Sequence, residues 1–405
     1  MAFILEGIKV VQTASAFAGP MAGRLLADWG ADVIWVENSN RAEISRNQHD
    51  MRNVGRMIMS DIDYRGENLH RSKRGIALDL SQEEGQKILH KMLEHADVYL
   101  SNFRPREFKK FKLEYETLSQ LNPRLISANV YGYGKKGPDK DLPATEFTGY
   151  FAKSGILHTL QMPGSSPVLN PIGLGDHVAG MSLACGIMSA LFMRGRTGRG
   201  QEVDVSLLHT GIFTLSFDIA GALVTGQDRQ PVELRDFHNP LHNSYQTKDS
   251  RWLRLAVADA DIYWSRLCQV IEREDLEHDP RFTSTKLIAD NHTALFDILE
   301  KGFRSKTLDE WRVRLDKAGI VWGPVQNFPE VIADPQARAN DLFVSYDHPD
   351  YGHIEVVSNP IKFSEGQEMI SRPAPKLGQH TEEVLLEYGY TLEDIEKFKR
   401  QRIII

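Results

Sequence analysis

Residues 8–37 read Ile8-Lys-Val-Val-Gln-Thr-Ala-Ser-Ala-Phe-Ala-Gly-Pro-Met-Ala-Gly-Arg-Leu-Leu-Ala-Asp-Trp-Gly-Ala-Asp-Val-Ile-Trp-Val-Glu37. A short apolar run covers Ile8 to Gln12, apolar residues at helical spacing follow from Pro20 to Trp29, and a second strand-like run covers Asp32 to Glu37. Two strands joined by a helix are typical of a βαβ unit, whose strands are parallel. We therefore predict an α/β fold that begins with this unit.

The same alternation continues to about residue 135. Helices are predicted from a capping box at Ser81-Gln-Glu-Glu84 to His95, and from Tyr115 to Leu121. Further strand-like runs are Ala77 to Leu80, Val98 to Asn102 and Leu125 to Val130. This order predicts a Rossmann-like large domain, a doubly wound parallel sheet with helices on both faces.

The large domain continues to residue 226. A helix rich in small residues is predicted from Asp176 to Arg194, followed by a strand from Glu202 to Val205 and one long helix from Leu207 to Thr225. Between the first helix and the strand, Arg194-Gly-Arg-Thr-Gly-Arg-Gly200 favours an exposed turn, although its arginines could also bind phosphate or RNA.

The composition becomes polar after Gly226, which marks a smaller α+β domain at residues 227–330. Its elements are predicted as a hairpin of Ser244 to Thr247 with Trp252 to Val257, helices near Ile262 to Glu272 and His292 to Phe303, and a helix from a capping box at Thr307-Leu-Asp-Glu310 to Ala318. The segment from Phe328 to Pro335 is predicted to mark the end of this domain. The C-terminal segment, 331–405, contains a predicted helix from Glu382 to Glu387.

Composition excludes several classes of protein. The 405 residues include 48 basic and 55 acidic side chains, and this acidic excess argues against nucleic acid or an anionic membrane as the main partner. Cys185 and Cys268 form neither a disulfide framework nor a metal-binding pair. The N-terminus lacks the pattern of an export signal. The longest weakly polar stretch, Gly175 to Met193, is interrupted by Asp176, His177 and Ser182 and fits a buried helix better than a membrane span. We therefore expect a cytoplasmic protein.

Three local patterns suggest chemistry that the surrounding residues disfavour. Glu37 suits a dinucleotide ribose, but Ala16-Phe-Ala-Gly-Pro-Met-Ala-Gly23 lacks the first two glycines of G-x-G-x-x-G, so a nicotinamide dehydrogenase is a weak alternative. Asp236, His238 and His242 suggest a metal site, but Pro240 between the histidines favours a polar loop. His209 lacks a partner that would make it a base.

The sequence Gly173-Leu-Gly-Asp176-His177-Val-Ala-Gly180 has two interpretations. Asp176 lies where the small-residue helix begins, so it could be the N-cap of that helix. Alternatively, a carboxylate flanked by glycine amides can attack an acyl group while those amides stabilise the oxyanion. Spacing alone does not choose between the two.

A set of motifs in fixed order resembles the class III CoA-transferases, the family of formyl-CoA transferase and carnitine CoA-transferase. The motifs are Leu5-Glu-Gly-Ile-Lys-Val10, Ala18-Gly-Pro20, Asp28-Trp-Gly-Ala-Asp-Val-Ile34, Asn102-Phe-Arg-Pro105, Tyr131-Gly-Tyr-Gly134 with Gly137-Pro138, Gly175-Asp176, Thr197-Gly-Arg-Gly-Gln201 and Gly378-Gln-His-Thr381. The resemblance spans essentially the whole chain. Residues 137–143 (Gly-Pro-Asp-Lys-Asp-Leu-Pro), Asn239-Pro240 and Ser244-Tyr245 look most like the clostridial branch, which moves CoA among 2-hydroxyacids and 2-enoates such as hydroxyisocaproate or phenyllactate.

The resemblance implies an architecture and a mechanism. The C-terminal segment would rejoin the large domain, the small domain would be an insertion, and two chains would form an interlocked homodimer. Asp176 would be the nucleophile, forming first a mixed anhydride and then an aspartyl-CoA thioester. CoA and acyl-CoA would be substrates, with a free carboxylic acid as the second substrate, and neither a metal nor a tightly bound cofactor would be needed.

The resemblance also implies which residues bind CoA. These are Phe17, Ala18, Leu69 to Ser72 (Leu69 and Ser72 at its ends), Lys73, Asn102, Phe103, Arg104, Lys110, Tyr131, Gly132, Gly134 and Lys135. Lys73, Arg104 and Lys110 would suit the CoA phosphates. The chain departs from formyl-CoA transferases at Asn38, where they carry arginine, and has no counterpart of their glycine-rich loop around Ala256 to Trp264.

Two competing functions share the resemblance. A 2-methylacyl-CoA racemase of the same fold uses a histidine and an aspartate to remove an α-proton, but Ala144-Thr145-Glu146 stands where racemases carry that histidine. A non-catalytic CoA-binding subunit would tolerate loss of Asp176. An apolar acyl pocket could include Phe147, Tyr150, Phe151, Phe213 and Phe217, although such aromatic residues often belong to a core.

Overall fold

The computed structural model describes residues 3–40, 58, 60–366 and 370–405. The β-strands are β1 (Lys9–Gln12), β2 (Asp32–Asn38), β3 (Arg74–Leu78), β4 (Val98–Ser101), β5 (Ile126–Tyr131), β6 (Glu202–Ser206), β7 (Ser244–Gln246), β8 (Trp252–Leu255), β9 (Trp322–Pro324), β10 (Phe343–His348) and β11 (Gly352–Val357). The α-helices are α1 (Ala18–Asp28), α2 (Tyr64–His70), α3 (Glu83–Leu93), α4 (Pro105–Phe111), α5 (Tyr115–Leu121), α6 (Ile156–Leu160), α7 (Leu174–Thr197), α8 (Leu207–Thr214), α9 (Ser216–Thr225), α10 (Ala260–Val270), α11 (Thr285–Asp290), α12 (His292–Phe303), α13 (Leu308–Ala318), α14 (Phe328–Ala333), α15 (Pro335–Ala339), α16 (Thr381–Glu387) and α17 (Leu392–Arg400). A π-helix covers Phe147–Ala152.

The described chain forms two compact units. The larger unit comprises Met1–His158, Leu169–Asp228 and Ala339–Ile405, and the smaller comprises Thr159–Val168 and Arg229–Arg338. The predicted domain boundaries, 226/227 and 330/331, lie within ten residues of the unit boundaries at 228/229 and 338/339. Residues 159–168, which were predicted in the large domain, group with the smaller unit.

The larger unit is built on a six-stranded sheet in the order β3-β2-β1-β4-β5-β6. All five strand pairs are parallel; in the centre, Val10 of β1 pairs with Val33 of β2 on one side and with Val98 of β4 on the other. This is the strand order of a Rossmann fold. The predicted α/β fold with a parallel sheet is therefore confirmed.

Neighbouring residues of β1 enter different cores because strand side chains alternate between faces. Val10 packs in a cluster with residues of α1 and α7, whereas Val11 packs in a second cluster with residues of α3 and of the C-terminal helices α16 and α17. Both faces of the sheet are therefore covered by helices. The C-terminal segment also adds the antiparallel pair β10–β11 to this unit.

The smaller unit has a core of its own. Its three-stranded antiparallel sheet has the order β7-β8-β9, and the helices α10, α12 and α13 pack their apolar residues into one cluster around Tyr245 and Trp311. The predicted hairpin of β7 and β8 is confirmed. The capping box at Thr307 and Glu310 is also confirmed, since each side chain bonds the other residue's backbone N–H.

Two predicted elements are wrong in detail. The long helix predicted from Leu207 to Thr225 is two helices, α8 and α9, that meet at 79°. Thr210 and Thr214 donate their hydroxyls to carbonyls one turn earlier, a pattern that bends helices. The capping box at Ser81 does not form, because the Ser81 hydroxyl donates to Asp79 Oδ1 at 2.6 Å and Gln82 becomes the N-cap of α3.

The helix α7 is, by length and composition, apolar enough to span a membrane, and the bent pair α8–α9 meets the same criterion as a pair. One face of α7 packs closely on α1: a Cβ at Gly180 would lie 2.7 Å from the carbonyl oxygen of Ala18. The same helix packs on β5 and β6. This face of α7 is therefore part of the core of the larger unit.

Candidate active site

The segments that follow β1 and β4 border a cavity of about 390 Å³. β1 and β4 are neighbours in the sheet, but the chain continues from β1 towards one edge and from β4 towards the other. Ligands of open α/β sheets bind at such a switch point, outside the carboxyl ends of the strands. The cavity is lined by residues 15–18, 130–132 and 142–147 and by Asn102, Arg104, Glu107, Ile172, Asp176 and Leu207.

The side chain of Asn102 fixes the loop after β1. Its amide nitrogen donates to the carbonyl oxygen of Ser15 at 2.9 Å, and its oxygen accepts the Ser15 N–H at 3.1 Å. Ala16, the next residue, has a φ of 62°, which is unfavourable for a residue with a side chain. Two hydrogen bonds from one amide therefore hold this strained loop at the cavity wall.

Asp176 lies in the first turn of α7 and lines the cavity. The N-cap of this helix is Gly173, at a φ of 87°, so the interpretation of Asp176 as the N-cap is wrong. The helix begins earlier than predicted because Gly173 adopts the left-handed conformation that glycine tolerates. Gly175 lets the helix approach Tyr150, since a Cβ there would lie 2.5 Å from the Tyr150 ring.

The carboxylate of Glu146 occupies the N-terminus of α7. It accepts the backbone N–H of Gly173, that of Gly175 at 2.8 Å and that of Asp176 at 3.3 Å. Glu146 is 2% exposed. A buried carboxylate is stabilised here because unpaired N–H groups and the positive end of the helix dipole both point at it.

Burial raises the pKa of Asp176 to about 7, and the negative charge of Glu146 contributes to the rise. Removing a carboxylate from water disfavours its charged form, and a neighbouring like charge acts in the same direction. A perturbed carboxyl group in a cleft is a common feature of functional sites. Asp176 and Glu146 therefore form a buried carboxyl pair at the cavity.

The glycine N–H groups that were predicted to stabilise an oxyanion are already hydrogen-bonded. The N–H groups of Gly173 and Gly175, which the sequence suggested for that role, both donate to Glu146. In the sequence, Glu146 stood out only as part of Ala144-Thr145-Glu146, where racemases of this fold carry a histidine. No local pattern links it to Asp176, because the two residues are thirty positions apart and meet only through the fold.

The structure brings seven of the predicted site residues to the cavity: Phe17, Ala18, Asn102, Arg104, Tyr131, Gly132 and Asp176. The other predicted residues do not line it: Leu69, Ser72, Lys73, Phe103, Lys110, Gly134 and Lys135. Phe103 packs its ring on Phe108 and Phe111. The ammonium group of Lys110 is exposed and lies 5.1 Å from the ring of Phe111.

Two of the predicted phosphate contacts are occupied by other groups. The side chain of Lys73 is fully buried, and its Nζ donates to Gln12 Oε1 at 2.9 Å and to the carbonyl oxygen of Pro20 at 2.8 Å. Lys135 forms ion pairs with Glu202 and Asp204. Both ammonium groups are therefore paired with other groups of the protein, and neither lysine lines the cavity.

The other aromatic, histidine and arginine candidates lie in several different environments. Of the aromatic candidates, Phe147 lines the cavity, Tyr150 and Phe151 belong to the core, and Phe213 and Phe217 are exposed. Pro240–His242 forms a short 3-10 turn, and the described residues contain no group of three His, Cys, Asp or Glu side chains that could hold a metal ion. Arg194 is buried and pairs with Asp97 at 2.7 Å.

Comparison with known proteins assigns the family. The model of CoA-transferase family III matches residues 5–381. The chain is 34% identical to (R)-2-hydroxy-4-methylpentanoate CoA-transferase of Clostridioides difficile, over 99% of both chains, and 34% identical to cinnamoyl-CoA:phenyllactate CoA-transferase of Clostridium sporogenes, over 99% of this chain and 97% of the relative. A crystal structure of a CAIB/BAIF family protein from Brucella suis superposes with a TM-score of 0.81 and 27% identity, covering 96% of this chain and all of that one. The chain belongs to CoA-transferase family III.

Proposed function

We propose that this protein transfers CoA from an acyl-CoA to a free carboxylic acid, with Asp176 as the nucleophile. The observation that carries the proposal is the position of Asp176, a buried carboxylate in the wall of a cavity at the switch point of a Rossmann-type sheet. Membership of a family of CoA-transferases supports the reaction class.

The reaction balances with carboxylates and CoA alone. The Asp176 carboxylate attacks the thioester carbonyl, which breaks the C–S bond and gives a mixed anhydride and CoA thiolate. The thiolate then attacks the aspartyl carbonyl, forming an aspartyl-CoA thioester and releasing the donor acid. The acceptor carboxylate attacks this thioester to give a second anhydride and thiolate. Attack of the thiolate on the new acyl carbonyl yields the product acyl-CoA and restores Asp176.

Glu146 has two effects on Asp176 in this proposal. Its hydrogen bonds to the first turn of α7 fix the backbone that carries the nucleophile. Its charge helps to raise the pKa of Asp176, and a more basic carboxylate is a better nucleophile once ionised. Glu146 therefore acts as a positioning residue.

CoA would enter along the two loops at the switch point. Phe17 and Ala18 from the first loop, Asn102 and Arg104 from the second, and Tyr131 and Gly132 all line the cavity. Arg104 is the cationic side chain, among the described residues that line this cavity, that suits a CoA phosphate. Leu69, Ser72, Lys73, Phe103, Lys110, Gly134 and Lys135 lie outside the lining of this cavity, and nothing in it supports their proposed contacts with CoA.

We assign the acids to the 2-hydroxyacid or 2-enoate class, because two full-length relatives at 34% identity are named for (R)-2-hydroxy-4-methylpentanoate and for phenyllactate with cinnamoyl-CoA. We further place the protein in the cytoplasm, without a nucleic acid or membrane partner, and with no bound metal or tightly bound cofactor in the reaction.

We also propose that the protein is a homodimer, interlocked as in its family. The apolar side chains of α9 support this, since Phe217 is 93%, Leu223 81% and Val224 87% exposed in the single chain. None of the residues of α9, all of which the structure describes, is buried. An apolar surface of this kind marks an interaction site, and a second copy of the chain is the occupant that we propose.

A racemase of the same fold is the competing function. It requires an imidazole beside the aspartate, and no histidine is among the described residues that line the cavity. The nearby His177 bonds its own helix through Nδ1 and the carbonyl oxygen of Gly173. A non-catalytic CoA-binding subunit gives no reason for a buried carboxyl pair facing the cavity.

The proposal is tested by mass spectrometry of acyl-CoA products. Wild-type protein is mixed with cinnamoyl-, isocaprenoyl-, acetyl- or succinyl-CoA and a panel of free acids, beside Asp176→Asn and Asp176→Ala. We expect new acyl-CoA species from the wild type and none from either variant. Transfer by both variants at the wild-type rate, or deuterium uptake into a 2-methylacyl-CoA without transfer, would overturn the proposal.

A further inference from the structure

We propose that His380 is an acid-sensitive latch on the edge of the large sheet. In its neutral form it holds residues 375–381 on the outer side of β3, and its protonation releases that edge. The latch gives a role to the motif Gly378-Gln-His-Thr381, which the family resemblance singled out and the transfer reaction does not use. It does not depend on that reaction.

The outer side of β3 is covered by the C-terminal segment. In the described chain β3 is an edge strand that pairs with β2 alone, and an open edge is a template for pairing with another chain. Here His380 N–H donates to the carbonyl oxygen of Gly75 at 2.9 Å, and Asp79 N–H donates to that of Ile403 at 2.8 Å. The cover lies close, since a Cβ at Gly75 would lie 2.8 Å from Cγ of Pro375.

Two side chains of the motif complete this cover. Nδ1 of His380 accepts the Gly75 N–H at 3.0 Å, and Oγ1 of Thr381 accepts the Ala77 N–H at 3.2 Å. The Thr381 hydroxyl donates in turn to the carbonyl oxygen of Gly378 at 2.8 Å, which holds the motif in its turn. The imidazole is therefore the titratable member of the set of groups that bond the edge of β3.

The bond from Gly75 to the ring exists only while Nδ1 is unprotonated. A nitrogen that accepts an N–H must keep its lone pair, so the proton of the neutral ring lies on Nε2. Protonation places a second N–H on the ring at Nδ1. The Gly75 N–H then faces a donor instead of an acceptor, and the contact becomes repulsive.

The surroundings of His380 also oppose its charged form. Burial lowers the pKa of the imidazole below its ordinary 6.5, and the positive charges of Arg372 and of Arg74, on β3, act in the same direction. Glu383, on α16, acts in the opposite direction, but Arg74 bonds its carboxylate at 3.0 Å. With the folded-state pKa lowered, the stability from this latch is present above pH 6.5 and is lost as pH falls through the folded-state pKa.

The test is hydrogen exchange of the whole protein at pH 7.5 and pH 5.0. Mass spectrometry follows peptides that cover β3, with correction for the intrinsic exchange rates. An open state whose histidine has an ordinary pKa of 6.5 gains up to about thirtyfold in population at pH 5.0. We expect protection of Gly75 and Ala77 to fall by about ten- to thirtyfold, with no fall of this size in β1.

Two variants isolate the imidazole. His380→Asn supplies an amide oxygen that can accept the Gly75 N–H at either pH, so β3 should stay protected at both. His380→Ala has no acceptor, so protection should be low already at pH 7.5 and should not fall tenfold further at pH 5.0. His353→Asn, at an exposed histidine of β11, is the control and should behave like the wild type.

The outcomes decide the proposal in either direction. Equal protection of β3 in the wild type at the two pH values would overturn it. A tenfold fall in His380→Asn would also overturn it, because acid would then open the edge through another group. If that variant does not fold, a tenfold fall in His380→Ala has the same meaning.

Discussion

The carboxylate of Glu146 accepts the backbone N–H of Asp176 at 3.3 Å, so two buried acidic residues meet at the first turn of α7. Burial raises the pKa of the Asp176 carboxyl group to about 7, and the negative charge of Glu146 adds to the rise.

The first prediction is that Asp176→Asn is inactive but more stable than the wild type above neutral pH. The pKa of Asp176 is raised in the folded state, from 3.8 to about 7. The stability associated with the buried neutral acid is therefore present below pH 3.8 and is lost as pH rises through about 7. The loss amounts to about 4 kcal/mol by linkage. Thermal unfolding at pH 5 and pH 8 should show that the gain in Tm for the variant is larger at pH 8. A difference in Tm between variant and wild type that is the same at pH 5 and at pH 8 would contradict the raised pKa.

The second prediction concerns the pH dependence of the wild type. Attack requires the ionised form of Asp176, whose fraction rises with pH. With a pKa of about 7, kcat/KM for the acyl-CoA donor should fall about tenfold between pH 8 and pH 6. The profile is measured at saturating acceptor acid. A flat profile down to pH 5 would mean that the nucleophile ionises with an ordinary carboxyl pKa.

The third prediction is that Glu146→Gln moves the acid limb of this profile to lower pH. The variant removes the negative charge that faces Asp176, while burial, the larger cause of the raised pKa, remains. We expect stability to fall by about 1–3 kcal/mol, because glutamine has one acceptor oxygen for three backbone N–H groups. Glu67→Gln is the matched control, since Glu67 is equally buried but bonds Tyr346 and Ala374. An acid limb that moves in both variants would exclude a specific effect of Glu146.

The fourth prediction separates loop positioning from contact with the acceptor acid. Asn102→Ala removes both hydrogen bonds to Ser15 and frees the strained loop at Ala16. KM for the acyl-CoA donor should rise, with a smaller change in KM for the acceptor acid. Asn102→Asp keeps the acceptor for the Ser15 N–H and should restore part of the loss. Equal changes in both KM values would argue against a role in placing this loop.

The fifth prediction concerns the exposed face of α9. Phe217→Glu or Leu223→Arg places a charge on the surface that we assign to a second copy of the chain. Light scattering coupled to size exclusion should show a dimer for the wild type and a smaller species for the variants. Leu392→Glu, at an exposed leucine of α17, is the control and should remain dimeric. A monomeric wild type would contradict the proposed assembly.

The regular part of the fold was predictable because its signals are local. β1, α1, β2 and α12 are predicted by the periodicity of their apolar residues, and α13 by its periodicity and its capping box. The bend between α8 and α9 was not predicted, because it depends on threonine hydroxyls that bond the backbone inside a continuous apolar run. The helix α17 was missed although Thr391 and Asp394 form its capping box, since aspartate replaces the usual glutamate.

The site was predictable only in part. Asp176 and the loop at Phe17 stand in short motifs, whereas Glu146 has no pattern that points to its partner. Lys73 illustrates the opposite limit: its charge suggested a phosphate contact, but tertiary packing directs its ammonium group to Gln12 and Pro20. Charge and order along the chain do not determine which lysines face a cavity.

The most direct test of the central claim follows oxygen from the acceptor acid to Asp176. In the proposed reaction the second anhydride is cleaved at the acyl carbonyl, so an oxygen of the acceptor carboxylate stays on the aspartate. The protein is incubated with an acyl-CoA and an acid labelled with heavy oxygen in its carboxylate, then digested and analysed by mass spectrometry. We predict that the label appears in the peptide that contains Asp176. Formation of the product acyl-CoA with that peptide unlabelled would contradict a covalent role for Asp176.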